Sequence, residues 1–218
     1  MEANPKTVSR EKLSAFRSLG INRLSVGIQS FQDKFLKKLG RIHSGDEACR
    51  TIHDALESGF ENVGLDLIYA LPCQTLKEVE QDLEIAVSLR TTHLSAYNLT
   101  IEEGTPFERL TAEGRIAVPS GDLQLQMFSL VRSRMADRGF FPYEISNFAR
   151  PGFECRHNLN YWEYGNFLGF GAGAVSFITP PNPPLTLRGG IPFGYRRQNV
   201  RDLKRYLEGR WEDHTEQI

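Results

Sequence analysis

INRLSVGIQSF (Ile21–Phe31) and NVGLDLIYALPCQT (Asn62–Thr75) decide the fold. Each opens with an apolar run of strand type and closes on polar residues. GRIHSGDEA lies in a helical stretch between them. Gln29 ends the first run, and Asp66 stands alone inside GLDLIYALP. A buried strand is expected to be apolar, so these polar residues need a cause. In α/β proteins such breaks gather at the carboxyl ends of strands, where ligands and chemistry sit.

Toward the N-terminus, Glu2-Ala-Asn-Pro5 reads as a strand tail entering a turn, because Pro5 keeps Asn4 extended. Ser9 caps a helix to about Leu19, and Gly20 stops it. The first strand covers 22–28, and Gln32–Leu39 is a short helix closed by Gly40. Ser44 with Glu47, and Thr75 with Glu78, form capping boxes for helices over 45–58 and 76–89. The second strand spans 62–70 and the third 93–100. Strand and helix thus alternate with short connections, which predicts parallel strands joined by right-handed crossovers.

Beyond residue 101 the alternation stops. A turn or two of helix is expected over 106–113, and a long helix from Ser120 to about Arg138. Phe141–Phe148 and Tyr195–Val200 read as strands, and Arg201–Leu207 as the start of a helix. The proline-rich 179–194 reads as a surface excursion, and Trp211–Ile218 carry no cap or stop. A closed parallel barrel needs about eight strand–helix units in roughly 250 residues. Three or four strands make either a small sheet with covered edges or a piece of a longer protein.

The 218 residues carry a net charge of −1, which argues against nucleic acid or an anionic membrane as a bulk partner. Cys49, Cys73 and Cys155 are scattered, neither a disulfide framework nor a metal motif, and fit a reducing cytoplasm. No apolar run reaches the ~18 residues of a membrane span, and the N-terminus does not read as a secretory signal.

Gln29 either holds a ligand hydroxyl or carboxylate, or caps the turn after its strand. Asp66 is costly in an apolar strand unless paired, and Arg41 is its candidate partner, or that of an anionic ligand. Glu2 can accept from ribose-like hydroxyls or simply be solvated. HNLNYW (His157–Trp162) puts an imidazole, two amides, a phenol and an indole within six residues. It suits a metal or haem iron beside a flat apolar ring. The plainer alternative is a strand that packs its aromatics into the core. GFGAGA (Gly169–Ala174) lacks the residues of a phosphate loop and suits close backbone packing.

EANP, NRLSVGIQSF…LGRIH, GLDLIYALPCQT, LSAYNLTIEEGTPF, YEISNFARPGFECRHNLNYW and GFGAGAVSF follow in that order. With them the chain resembles the HemW-type branch of radical S-adenosylmethionine (SAM) proteins, related to oxygen-independent coproporphyrinogen III oxidase/dehydrogenase. The resemblance implies an α/β fold, an incomplete (β/α)6 partial barrel over residues 1–105. A HemW-type α+β segment over 106–218 follows it. It implies SAM and a 4Fe-4S cluster at the carboxyl ends of the strands. It places Glu2, Gln29, Arg41 and Asp66 around SAM, with Ile68 and Thr100 as further candidates. It associates His157, Asn158, Tyr161 and Trp162 with haem. The implied function is a cytoplasmic haem chaperone, peripheral to the membrane, that delivers haem to acceptor proteins; a homodimer stays open. The alternatives are porphyrinogen decarboxylation and an inactive partial domain.

The departures are specific. The family's CxxxCxxC and GGGTPS stretches precede EANP, and this chain starts at Met1 with neither. Met1 is therefore expected to be internal to a longer reading frame, and the family's small C-terminal helical domain is expected to be missing after Trp211. The three cysteines match no cluster ligand, so the chain alone is expected to hold no cluster and cleave no SAM. Anaerobic reconstitution tests this.

Overall fold

Alternate residues of the central strands separate into an apolar face and a polar one, and this division organises the architecture. The computed structural model describes residues 1–179, 194–210 and 212–217. In chain order its elements are β1 (Glu2–Ala3), α1 (Arg10–Ser18), β2 (Arg23–Gln29), α2 (Asp33–Lys38), α3 (Gly45–Glu57) and β3 (Asn62–Tyr69). Then come α4 (Leu76–Ser88), β4 (His93–Asn98), α5 (Pro106–Ala112), α6 (Gly121–Asp137), β5 (Phe141–Pro142) and β6 (Asn147–Ala149). Last are α7 (Arg156–Trp162), β7 (Val175–Ile178), β8 (Tyr195–Asn199), α8 (Leu203–Leu207) and β9 (Glu212–Gln217). Two compact units result, Met1–Glu154 and Cys155–Ile218. This division falls later than the 105/106 boundary expected from the resemblance, because α6 packs on α4 and β6 pairs with β4.

The first unit holds a six-stranded sheet in the order β1-β2-β3-β4-β6-β5. β1 to β4 are parallel, and β6 and β5 add antiparallel pairs at one edge. The sheet does not close on itself: β1 and β5 are its edges. This is the expected partial barrel. Leu24, Val26 and Ile28 of β2, Val63, Leu65 and Leu67 of β3, and Leu94 and Ala96 of β4 point one way into the core. Leu13, Ile52, Ala55, Val79, Leu83, Met127 and Val131 cover them from the helices. Burying each large side chain stabilises the fold by about 1.5–3 kcal/mol. Both capping boxes form, Ser44 with Glu47 and Thr75 with Glu78. The opposite face carries Ser25, Gly27, Gly64, Asp66, Ile68, His93, Ser95 and Tyr97, by the strict alternation of strands.

Three expectations are corrected. Phe141–Phe148 is not one strand: β5 and β6 are separated by a turn in which Tyr143 N–H donates to Asn147 O at 3.2 Å. HNLNYW is helical, as α7, so the alternative of a strand packing its aromatics into the core falls. The chain end, read as carrying no cap or stop, forms β9 (Glu212–Gln217) against β8. Residues 180–193 of the proline-rich segment lie outside the described residues.

In the second unit β7, β8 and β9 form an antiparallel sheet. Of the GFGAGA stretch, Gly169 packs tightly, whereas Gly171 has open space around it. A Cβ on Gly169 would come within 2.2 Å of Val175 O. Asn199 Nδ2 donates to the carbonyls of Gly169 and Gly171 at 3.3 and 2.9 Å.

Candidate functional site

β2 ends irregularly. Its register against β3 shifts between Gly27 and Gln29, and Gln29 adopts φ +72°. A glutamine in the left-handed region is strained, and such strain collects where surrounding structure enforces it. Gln29 is also buried. Gly27 admits no side chain: a Cβ there would lie 2.7 Å from Asn4 Oδ1 and 3.0 Å from Gln29 Nε2. Arg41 Nη1 donates to the same Asn4 Oδ1 at 3.0 Å. Residues from EANP, GIQSF and LGRIH therefore meet around Gly27.

Asp66 lies beside this group, opposite Gly27 on one side and Ser95 on the other. Ser25 Oγ donates to Asp66 Oδ1 at 3.1 Å. Burial pushes its carboxyl above the ordinary range; bonds from Ser95 and Ser25 and the charge of Arg23 pull the other way, and Glu2 reinforces the rise. The expected Arg41–Asp66 pair is absent: Arg41 bonds Asn4, and Arg23 is the cation acting on Asp66. Ile68 follows on the same face, opposite Tyr97 in register. Thr100 is exposed, two residues past the end of β4.

Asp66→Asn is expected to stabilise the protein near pH 7 by on the order of 1 kcal/mol. The amide keeps an acceptor for Ser25 and removes a charge that burial disfavours. A carboxyl with a raised folded pKa lowers stability as pH rises through that window, so the gain fades on acidification. It is gone below about pH 4, where Asp is protonated folded or unfolded. Thermal melts at pH 7 and pH 4 check this; a variant less stable than the parent at pH 7 contradicts it.

The carboxylates of Glu2 and Asp66, the amides of Asn4 and Gln29 and the guanidinium of Arg41 offer acceptors and donors at one end of a parallel sheet. They fit a ligand with hydroxyl, ammonium and carboxylate groups, as SAM has. An iron–sulfur cluster is not fitted. Among the described residues no group of three His, Cys, Asp or Glu is placed to hold a metal. Cys49, Cys73 and Cys155 are free thiols.

Several buried polar groups escaped the sequence reading, His43, Asp82 and His93 among them. His43 Nε2 lies 3.1 Å from Ile28 O, and burial pushes its pKa down. Asp82 of α4 grips the loop after Gln29. The signal for Asp82 was available, since an acid three residues after Val79 and one before Leu83 falls on the helix's buried side.

In the second unit the helical turn of α7 sets His157 under Tyr161, and His157 Nε2 lies 2.8 Å from Tyr161 Oη. The two rings meet edge to face at 4.6 Å, and Tyr161 meets Phe167 at 4.4 Å, which fixes the phenol between them. Phe177 extends the wall to Phe167 and Tyr164. His157 and Trp162 are exposed, and Asn158 is half-buried. A cavity of about 540 Å³ lies on the other face of this sheet, lined by Phe170, Ile178, Tyr195, Arg197 and Tyr206.

Residues 1–86 match the radical SAM superfamily. The chain is 40% identical over 208 residues to the heme chaperone HemW of Bacillus subtilis, covering 95% of this chain and 51% of that protein. It is 37% identical over 210 residues to HemW of Escherichia coli, covering 95% and 54%. The coproporphyrinogen III oxidase HemN from Escherichia coli, a radical SAM enzyme, superposes with a TM-score of 0.71 at 23% identity. That match covers 95% of this chain and 47% of HemN, and it speaks for the fold. The chain spans about half the length of the curated relatives it matches.

Proposed function

From the HemW-type sequence and radical SAM fold of this chain, we propose that it is part of a haem-binding chaperone that holds haem on α7. The observation that carries this reading is the exposed His157, oriented by Tyr161 and backed by Phe167 and Phe177. An accessible imidazole beside an aromatic wall suits a flat ring with an iron at its centre. A ligating histidine usually gives its other ring proton to a neighbour, which fixes the tautomer. Here Tyr161 Oη can accept from Nε2, leaving the Nδ1 lone pair for iron. Asn158 and Trp162 complete the haem side in this reading.

The first unit supplies the SAM side: Glu2, Gln29, Arg41 and Asp66, with Ile68 and Thr100 at the same end of the sheet. SAM, when bound, supplies a sulfonium with hydroxyl, ammonium and carboxylate handles. The chain's own residues orient those handles. Delivery to haem-acceptor proteins at the membrane belongs to the same proposal. Among the described residues no helix is long and apolar enough to cross a membrane. Coproporphyrinogen oxidation is the second reading, supported by the fold it shares with HemN. The α7 motif favours the chaperone.

Titration of the chain with ferric haem tests the first reading. A Soret band is expected that His157→Ala abolishes. Tyr161→Phe keeps the ring between His157 and Phe167 and is expected to weaken binding by about tenfold, the scale of a lost ligand-orienting bond. Unchanged haem binding by His157→Ala sinks the assignment.

A further inference from the structure

We propose that Asp82 is the positioning residue of the SAM side: from α4, it holds the turn that carries Gln29. The proposal rests on the reading of Gln29 as a SAM-side residue. After Gln29 the chain leaves the sheet through Ser30, Phe31 and Gln32 and enters α2. Little that is local secures this passage: Gln32 caps α2 without a side-chain bond to the helix, and its amide instead donates to Glu78 O of α4 at 2.9 Å. Asp82 does so from across the core. Its Oδ2 accepts from Ser30 Oγ at 2.7 Å, and its Oδ1 accepts from Phe31 N–H at 3.0 Å and Gln32 Nε2 at 3.3 Å. Ser30 Oγ in turn accepts from Gln32 N–H at 3.1 Å, so three consecutive residues close on one carboxylate.

Asp82 is 3% exposed and Ser30 fully buried. A carboxylate in such a place is costly, and Glu78 adds charge of the same sign. A leucine would complete the apolar face of Val79, Leu83 and Ala86 more cheaply. The residue is explained by what it holds. Gln29 sits at φ +72° and relaxes toward an extended conformation unless the next residues are pinned. Asp82 pins them, and so sets where the Gln29 amide points relative to Asn4 and Arg41.

The test uses the whole chain and the variants Asp82→Leu, Asp82→Asn, Ser30→Ala and Gln29→Ala. Hydrogen exchange is followed at Ser30–Gln32, and SAM binding by titration calorimetry. In Asp82→Leu the Phe31 amide is expected to exchange at least tenfold faster, while β3 and β4 stay protected. SAM affinity is expected to fall by roughly tenfold, as in Gln29→Ala. Asp82→Asn keeps the acceptor for Phe31 and retains most of both properties. Ser30→Ala, which leaves α4 intact, gives a smaller change of the same sign and serves if Asp82→Leu does not fold. Unchanged exchange at Phe31, or equal loosening over the whole sheet, overturns the proposal. If the parent chain binds no SAM, or Gln29→Ala binds it as the parent does, the SAM reading fails. The exchange pattern then decides the positioning role alone.

Discussion

Gly45→Ala is expected to cost about 3 kcal/mol, the upper range for forcing a methyl into a packed site. Gly45 opens α3, and a Cβ there would lie 2.0 Å from Phe31 O and 2.9 Å from Phe31 C. Neither atom can retreat cheaply. Phe31 N–H is bonded to Asp82, its ring is buried, and Gly45 N–H itself donates to Asp33 Oδ1 at 2.9 Å. The helix would have to move off the loop, and both are held by the core. For a folding unit of this size, that loss lowers the melting temperature by roughly 6–12 °C. Gly121, which opens α6 with nothing within 4 Å of its Cβ position, is the control. Gly121→Ala is expected to leave the melt unchanged or slightly raised. Equal melts for Gly45→Ala and the parent would show that α3 and the Phe31 loop are free to separate.

The parts of this molecule that were legible in the sequence are those with a period or a cap. The runs 22–28, 62–70 and 93–100 place apolar residues on alternate positions of one buried face, and all three form the parallel sheet. β9 was illegible for the opposite reason. EDHTEQ carries no apolar alternation, and its place is set by backbone pairing with β8. The strand alternative for α7 arose because aromatic density does not distinguish strand from helix. The better signal was spacing, since His157 and Tyr161 are four apart and share a helix face. In the first unit, Gln29 and Asp66 stood out as polar residues in apolar strands, with Arg41 and Glu2 as candidates beside them, and the resemblance grouped the four around SAM. No local pattern brings Arg41 to Asn4 across the sheet end. The Arg41–Asp66 pair failed because serines from both flanking strands and Arg23 already face the carboxylate. Asp82 and His93 are buried polar residues: the spacing of α4 shows that Asp82 falls on its buried side, but the partner each residue holds is revealed only by its surroundings.

His93 makes the stability of the first unit sensitive to acid. It opens β4 at 2% exposure, with Nε2 2.7 Å from Tyr143 Oη. Its Nδ1 is buried without a hydrogen-bond partner among the described residues and faces Gly64, whose missing Cβ would lie 3.2 Å away. Charging this ring means placing a cation in the core with Arg23 acting on it, and burial with that repulsion pushes its pKa down to about 3. An unfolded histidine titrates near 6.5. The folded state therefore binds its proton later than the unfolded one. The stability His93 contributes is complete above about pH 6.5 and is lost as pH falls toward about 3. The slope is about 1.4 kcal/mol per pH unit, so acidification from pH 7 to pH 5 removes about 2 kcal/mol. Asp66 and Asp82, raised by burial, act with the opposite sign and mask part of this in the parent. His93→Gln separates the two, since its amide still reaches for Tyr143 but does not titrate. The variant is expected to be less stable than the parent at pH 7, and the gap to shrink or reverse by about 2 kcal/mol at pH 5. Urea melts of both proteins at pH 7, 6 and 5 measure it. Parallel profiles across that range would mean that His93 charges in the folded protein as readily as in the unfolded chain.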